Sequence, residues 1–404
     1  MKKFKIVVTY VEAGMGHIVS ARAVSDALKR LYSDEVEVED CYLLRDSKSK
    51  LLVRHERYLV GKVKSFYKHK HYLNFFFFLA GRILSPRLTL RLVHAVRFSR
   101  QRRQSAKLLM QKQADMVLTT HYSILHYAVY AKRSMGADFI TAHYNPDPCV
   151  HEWNDDRADL MVVNNGFALS QATEKLKFTK ENCALGKFAL RSAVLNCKED
   201  KFALRKKYGI EQNSFTVVMA DGAYASAKLM PVARRLLATG RAFTLLIIAG
   251  VNGKVYDCFE KEKQKGGLVD IKVYGFTENA HELYKASDLF ITKAGPNALI
   301  DCAFVGTPVM VTYHSGNIEL CSRRIIVEEC GTGVVARSIS EAESLFLDFY
   351  DHPEKLAPYR ENCRRFASSK VDSDAVAKII VNKLRARENH SGGIKEGNRN
   401  IKSQ

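Results

Sequence analysis

A glycine turn that closes a strand and opens a helix is a ready-made anion site, and the clearest one in this chain lies within Ile291–Val311, ITKAGPNALIDCAFVGTPVMV. Ile291-Thr292 end an apolar strand, Gly295-Pro296 break the chain, and Asn297 to Phe304 has helical apolar spacing. Gly306-Thr307-Pro308 stops that helix before Val309-Met310-Val311. Such a turn presents backbone N–H groups to an anion. Asp301, one turn into the helix, sets a carboxylate where it can accept ribose hydroxyls. The spacing alone equally fits any βα turn of a Rossmann-like sheet. A second glycine loop, Glu12-Ala13-Gly14-Met15-Gly16-His17, follows the first strand. Gly14 and Gly16 permit a tight turn and close approach of backbone to a ligand. The loop is not the dinucleotide fingerprint, because Val19 and Ser20 occupy the region of its third glycine.

The 404 residues carry a formal net charge of +20, and one segment accounts for most of it. Residues 48–107 hold sixteen Lys or Arg against one acid, Glu56. Tyr58, Phe66, Tyr67, Tyr72 and the run Phe75-Phe76-Phe77-Phe78 are interleaved with them. Basic residues mixed with aromatics suit an anionic membrane interface or a nucleic acid; a solvated helical face over a core is the plainer alternative. Phe75–Phe78 with Arg82, Arg87 and Arg91 is the expected membrane contact, the phenylalanines being costly to leave in water. No segment reaches the roughly 18 apolar residues that span a bilayer. Nine cysteines without a CxxC pair argue against a disulfide frame or a zinc site.

These loops need a scaffold, and the pattern supplies one. Lys5–Val11 is an apolar β-branched run, read as a buried first strand rather than a leader because Glu12 interrupts it. Further strand candidates are Val36–Glu39, Asp115–Thr119, Asp138–Thr141 and Leu160–Val163, then Phe215–Ala220, Thr244–Ala249, Ile271–Tyr274, Leu289–Thr292 and Val309–Thr312. Helical spacing falls between them. This alternation predicts doubly wound parallel sheets, and the length predicts two domains. Residues 1–197 form the first, carrying the acceptor and membrane elements, and 198–371 the second. A last helix, 372–387, is expected to cross back to the first domain, with 388–404 as a disordered tail.

Lys293-Ala294-Gly295-Pro296, with a carboxylate at Asp301, resembles the Lys-Ala-Gly-Pro-Gly-Thr-x-x-Glu-Ala pattern of glycosyltransferase family 28, in particular the monogalactosyldiacylglycerol synthases and processive diacylglycerol glucosyltransferases. Asn297 replaces the second glycine and Asp301 the ribose-binding glutamate. The resemblance implies an α/β GT-B fold, two Rossmann-like domains facing a cleft. It implies donor contacts at Gly275 and Phe276, whose match in the family pairs with uracil, and at Gly316, Asn317 and Glu319 in the sugar loop. The Gly14/Gly16 loop is similar to the family's Gly-Gly-Gly-His loop, so His17 maps to its histidine; a helix cap is the plain alternative. Thr141 to Trp153 resembles the family's Thr-Asp-x…His-x-x-Trp, so that His151 joins the acceptor and phosphate loop. Asp147 or His143 is then the candidate base that takes the acceptor proton. Asp147 lies between prolines and equally suits a turn, and His143 equally suits a satisfied strand end.

What the resemblance implies is a peripheral enzyme on the cytoplasmic face of the membrane. It would move a hexose from a UDP-sugar to diacylglycerol or a glycosyldiacylglycerol by a single inverting displacement. Anionic lipids would be partners, and no cofactor or metal is expected, since no Asp-x-Asp motif occurs. A polyprenyl-diphosphate acceptor, a nucleic-acid-binding role and an inactive member of the family are the alternatives.

Overall fold

The structure, a computed structural model, describes residues 3–11, 15–68 and 86–400. Gly14, Phe75, Phe76, Phe77, Phe78 and Arg82 lie outside the described residues, as does the side chain of Arg87. The chain forms two compact units: Met1–Arg191 with Asp372–Gln404, and Ser192–Val371. The second unit begins at Ser192 rather than at 198. The short helix Ser192–Leu195 buries Val194, and Lys285 Nζ donates to the Cys197 carbonyl at 2.7 Å.

Six parallel strands build the first unit: β1 (Phe4–Thr9), β2 (Val36–Cys41), β3 (Met116–Thr119), β4 (Ile140–Tyr144), β5 (Leu160–Val163) and β6 (Cys183–Leu185). They lie in the order β2-β1-β3-β4-β5-β6. Parallel strands covered on both faces read as continuous apolar runs, and β3, β4 and β5 are buried at every residue. Side chains alternate across the pleat. Ile6 and Val8 enter one core with Ala21, Val24 and Leu28 of the helix Met15–Leu31. Val7 enters the other with Val117, Leu109 and Tyr127. The helix Ser373–Asn400 completes the first of these cores with Val376, Ile380, Val381 and Leu384. Arg385 grips Glu35 through two bonds of 2.6 Å. Residues 388–400, expected as a tail, continue this helix; no proline interrupts them.

In the second unit the strands are β7 (Thr216–Ala220), β8 (Thr244–Ile248), β9 (Asp270–Tyr274), β10 (Leu289–Lys293), β11 (Val309–Tyr313) and β12 (Gly333–Val335). Their order is β12-β11-β10-β7-β8-β9, again all parallel. Asp288, just before β10, ties the base of the sheet. It accepts from Arg205 Nη2 at 2.8 Å, Arg360 Nη2 at 3.2 Å and the Thr216 N–H at 2.9 Å, and pairs with Lys201. The two three-residue edge strands, β6 and β12, were not expected from the sequence. After β11 the chain runs as a helix, Asn317–Ser322, and then widens into a π-helical stretch, Arg323–Glu329.

Candidate active site

Each sheet has one switch point, where successive connections leave in opposite directions and ligands collect at the strands' carboxyl ends. In the first unit it lies between β1 and β3. The helix after β1 carries His17, half-buried, in its first turn. Its Nδ1 donates to the Thr120 carbonyl at 2.7 Å, and Thr120 Oγ1 donates back to the His17 carbonyl at 2.8 Å. A carbonyl can only accept, so the proton of the neutral ring sits on Nδ1 and Nε2 carries a lone pair. Burial holds the His17 pKa below its ordinary value, which favours that neutral form.

Around His17 the structure assembles an aromatic chain absent from the motif reading. His121 lies 5.0 Å from His17 by ring centroids and stacks on Tyr122 at 4.4 Å. Tyr122 meets His151 at 5.0 Å and Trp153 at 5.2 Å, and those two rings are 4.6 Å apart. His121 is the N-cap of the helix Tyr122–Met135: its Nδ1 accepts from the Ser123 N–H at 3.2 Å. Burial, with the neighbouring imidazoles, pushes His143 down to about 3, His151 to about 4, and His121 well below the ordinary histidine range. The cluster is therefore neutral at pH 7.

The two residues expected as the base lie on β4 and in the turn after it. His143 lies on β4 opposite Thr119 and is 2% exposed; among the described residues its Nδ1 has no hydrogen-bond partner. Asp147 heads a turn whose carbonyls are held by asparagines: Asn145 Nδ2 at 2.7 Å and Asn164 Nδ2 at 2.9 Å both donate to the Asp147 carbonyl. Arg91, expected to face a bilayer, points into the fold. Its Nη2 donates to Asp155 Oδ1 at 2.6 Å and also pairs with Asp156. Asp155 is fully buried, and besides Arg91 it takes Arg157 at 2.6 Å and His126 Nδ1 at 2.9 Å. Burial would raise its carboxyl, but the hydrogen bonds from Arg157 and His126 hold it well below the usual carboxylate range. His126 Nε2 donates to the Trp153 carbonyl at 2.9 Å.

The switch point of the second unit lies between β10 and β7. There the helix Pro296–Val305 starts, with Gly295 as N-cap and a proline in its first turn. Asp301 follows in the second turn, 6% exposed. Lys293, at the end of β10, pairs with Glu319 Oε1 at 2.6 Å, and Glu319 Oε2 accepts the Ser315 N–H at 2.6 Å. Glu319, expected in the sugar loop, is thus 7% exposed and directed toward Lys293. The Lys293 stem runs beside Gly222 and Gly295: a Cβ on either would stand 3.8 or 3.6 Å from its Cε. Gly316 and Asn317 form the start of the helix Asn317–Ser322. Gly275 and Phe276 follow β9, with Phe276 49% exposed. The loop after β7 is clamped by Asp221, whose Oδ2 accepts from Tyr313 Oη and Ser226 Oγ, both at 2.6 Å. Ala225 and Ala227 in that loop have φ of 35° and 65°, a strained setting for residues with a Cβ.

Residues 220–320, spanning these donor-side loops, match the glycosyltransferase family 28 C-terminal domain. Monogalactosyldiacylglycerol synthase 1 of Arabidopsis thaliana is 24% identical over 391 residues, covering 93% of this chain and 70% of its own length. The processive diacylglycerol β-glucosyltransferase of Bacillus licheniformis is 20% identical over 393 residues, covering 94% and 96%. Among solved structures, Anabaena HepE in complex with UDP and glucose shares the fold, with a TM-score of 0.56 at 15% identity over 95% of this chain and 99% of its own. With a family 28-like domain on the donor-side loops and the similarity running along nearly the whole chain, this is a UDP-sugar glycosyltransferase built on the two-Rossmann GT-B plan.

Proposed function

We propose that this protein transfers a hexose from a UDP-sugar to diacylglycerol or a glycosyldiacylglycerol at the cytoplasmic surface of a membrane, with inversion at the anomeric carbon. The observation that carries the donor reading is the row formed by Lys293, the N-terminus of the Pro296 helix and Asp301 at the second switch point. At about 1.5 Å of rise per residue, Asp301 lies some five residues beyond the helix start. That spacing suits a diphosphate at the N-terminus and a ribose at the carboxylate. The activities for which the Arabidopsis and Bacillus relatives are named support the acceptor class, and UDP in HepE supports the donor class.

In this reading His17 Nε2 takes the proton of the acceptor hydroxyl as its oxygen attacks the anomeric carbon. Support comes from the Nδ1–H bond to Thr120, which leaves that lone pair available. His143 is buried and Asp147 belongs to a turn, so both are weaker candidates. Charge developing on the departing UDP is met by Lys293 and the helix N-terminus. The basic and aromatic composition of residues 48–107 supports a site at an anionic membrane surface.

The test is a labelled-sugar transfer assay. UDP-glucose and UDP-galactose are each offered with liposomes of diacylglycerol and anionic phospholipid. Wild type should yield a labelled glycolipid. His17→Ala should lose on the order of 10²–10⁴ in rate while UDP still binds, and Asp301→Ala should weaken UDP binding itself. Firm UDP binding with no labelled glycolipid from either donor would rule out this acceptor, and a failure to bind UDP would rule out the donor.

A further inference from the structure

The donor-side loops of the second unit already carry an anion of their own. Glu319 Oε1 accepts from Lys293 Nζ and its Oε2 from the Ser315 N–H, both at 2.6 Å. An ammonium and a backbone amide are the two kinds of donor that hold a phosphate oxygen. The side chains of Lys293 and Glu319 are 15% and 9% exposed, so water screens the pair little. Ser315 Oγ, beside them, is buried and among the described residues has no hydrogen-bond partner. A buried hydroxyl left unpaired is costly, and it points to a polar ligand at this loop. A second carboxylate, Asp221, stands on the neighbouring loop, and it is held differently. It accepts from Tyr313 Oη, Ser226 Oγ and the Ser226 N–H, none of them a cation. Of the two carboxylates, Glu319 is the one whose hold depends on the lysine that a diphosphate would draw on.

We infer that Glu319 is an internal counter-ion of Lys293 which the diphosphate of the nucleotide must displace, and that the exchange hands the Ser315 N–H and Oγ to the nucleotide. The inference rests on the donor reading above and adds to it a competitor built into the same site. An ammonium has three protons and can bond two anions at once. The carboxylate and the diphosphate would then share a half-buried pocket and repel each other. Displacement relieves that repulsion, and its cost is the lost Lys293–Glu319 pair. The same carboxylate returns to Lys293 as UDP leaves, so the lysine is not stranded without a counter-ion. Glu319 acts through Lys293 and is a positioning residue: it tunes how tightly nucleotide is held and takes no part in bond making.

Calorimetric titration of the full chain with UDP and with uridine tests this. Glu319→Gln keeps an oxygen for the Ser315 N–H but removes the charge. The loss falls on the free protein alone, so it is returned as tighter nucleotide binding. Glu319→Gln should bind UDP roughly tenfold more tightly than wild type. Glu319→Asp, one methylene shorter, should fall between the two, and it carries the test should the glutamine variant fail to fold by circular dichroism. Uridine, which lacks the diphosphate, should bind wild type and both variants within about twofold. In a Lys293→Met background, which itself weakens UDP binding, Glu319→Gln should change UDP affinity by less than about twofold, because the partner through which it acts is gone. Unchanged or weaker UDP binding by both Glu319 variants would overturn the inference and make Glu319 a donor contact, while wild-type UDP binding would leave the donor reading standing. Equal tightening toward uridine would mean a reshaped pocket rather than a displaced anion, and would overturn it too. Full tightening in the Lys293→Met background would show a long-range charge effect and overturn the pairing. UDP binding by neither wild type nor the Glu319 variants would remove the donor reading and this inference with it.

Discussion

The first unit concentrates neutral histidines, and this fixes how its stability responds to acid. His55 and His151 are pushed to about 4 and His143 to about 3, with His94 and His121 also well depressed, in each case chiefly by burial. In the unfolded chain each titrates near its usual value of about 6.5. Above that pH both states are neutral and the full stability is present. As pH falls below it, the unfolded chain takes up protons that the folded chain refuses. Each such histidine then removes about 1.4 kcal/mol per pH unit, until its own folded pKa is reached. Urea unfolding of the full chain should therefore show a midpoint that is flat above about pH 7 and drops steeply from about pH 6.5 to 4, before most carboxylates titrate. A midpoint that stayed level to pH 4.5 would mean these rings are hydrated and the cluster is open.

Among the elements, glycine loops position the donor-side residues, and Gly250 shows how tightly. It follows β8 with φ of 54°, and a Cβ there would stand 2.1 Å from the Ala223 carbonyl oxygen. That carbonyl also accepts the Val251 N–H at 2.8 Å, so it cannot withdraw without breaking the loop that Asp221 clamps. Gly250→Ala should cost about 3 kcal/mol and weaken UDP binding with it. Gly253→Ala, where a Cβ meets nothing within 4 Å, should be neutral or slightly stabilising. Differential scanning of the two variants with and without UDP separates them; equal melting temperatures would deny the contact. The same elements show what the sequence could carry. The ten expected strands were legible because a parallel strand buried on both faces leaves an uninterrupted apolar run, as in Leu160–Val163. Cys183–Leu185 and Gly333–Val335 were not, since three edge residues leave no periodicity to read. Gly295-Pro296 and Asp301 were legible as a turn and a helical carboxylate. The His121–Tyr122–Trp153 packing and the Arg91–Asp155 pair were not, because contacts made across 31 or 64 positions have no local pattern. Arg91 in particular was assigned outward by the charge of its neighbours, and composition says nothing of which way one side chain of a helix points.

At the scale of the molecule, the first unit is discontinuous in sequence, and its last piece arrives after the whole of the second. The helix Ser373–Asn400 supplies Val376, Ile380, Val381 and Leu384 to the core beneath β1, each at most 1% exposed. Burying such side chains contributes about 1.5–3 kcal/mol each, so the four contribute about 6–12 kcal/mol, comparable to the entire margin of about 5–15 kcal/mol that holds an ordinary domain folded. The Arg385–Glu35 pair and the bonds between Ser373 and Leu190 pin the helix at both ends of this contact. Val371 closes the second unit and Asp372 opens the returning segment, so the two units need this segment unequally. A chain ending at Val371 should keep a protease-resistant Ser192–Val371 fragment that still melts cooperatively and still gains stability from UDP, because every donor-side residue lies within it. Its residues 1–191 should be cleaved quickly under conditions that spare the full-length protein. Supplying the Ser373–Asn400 peptide in trans should restore part of that resistance, and Ile380→Asp in the peptide should abolish the rescue. If residues 1–191 resisted protease without the helix, the sheet β2-β1-β3-β4-β5-β6 would be stable with that face only partly covered by the helix Met15–Leu31, and the discontinuity would be an accident of chain order rather than a requirement of the fold.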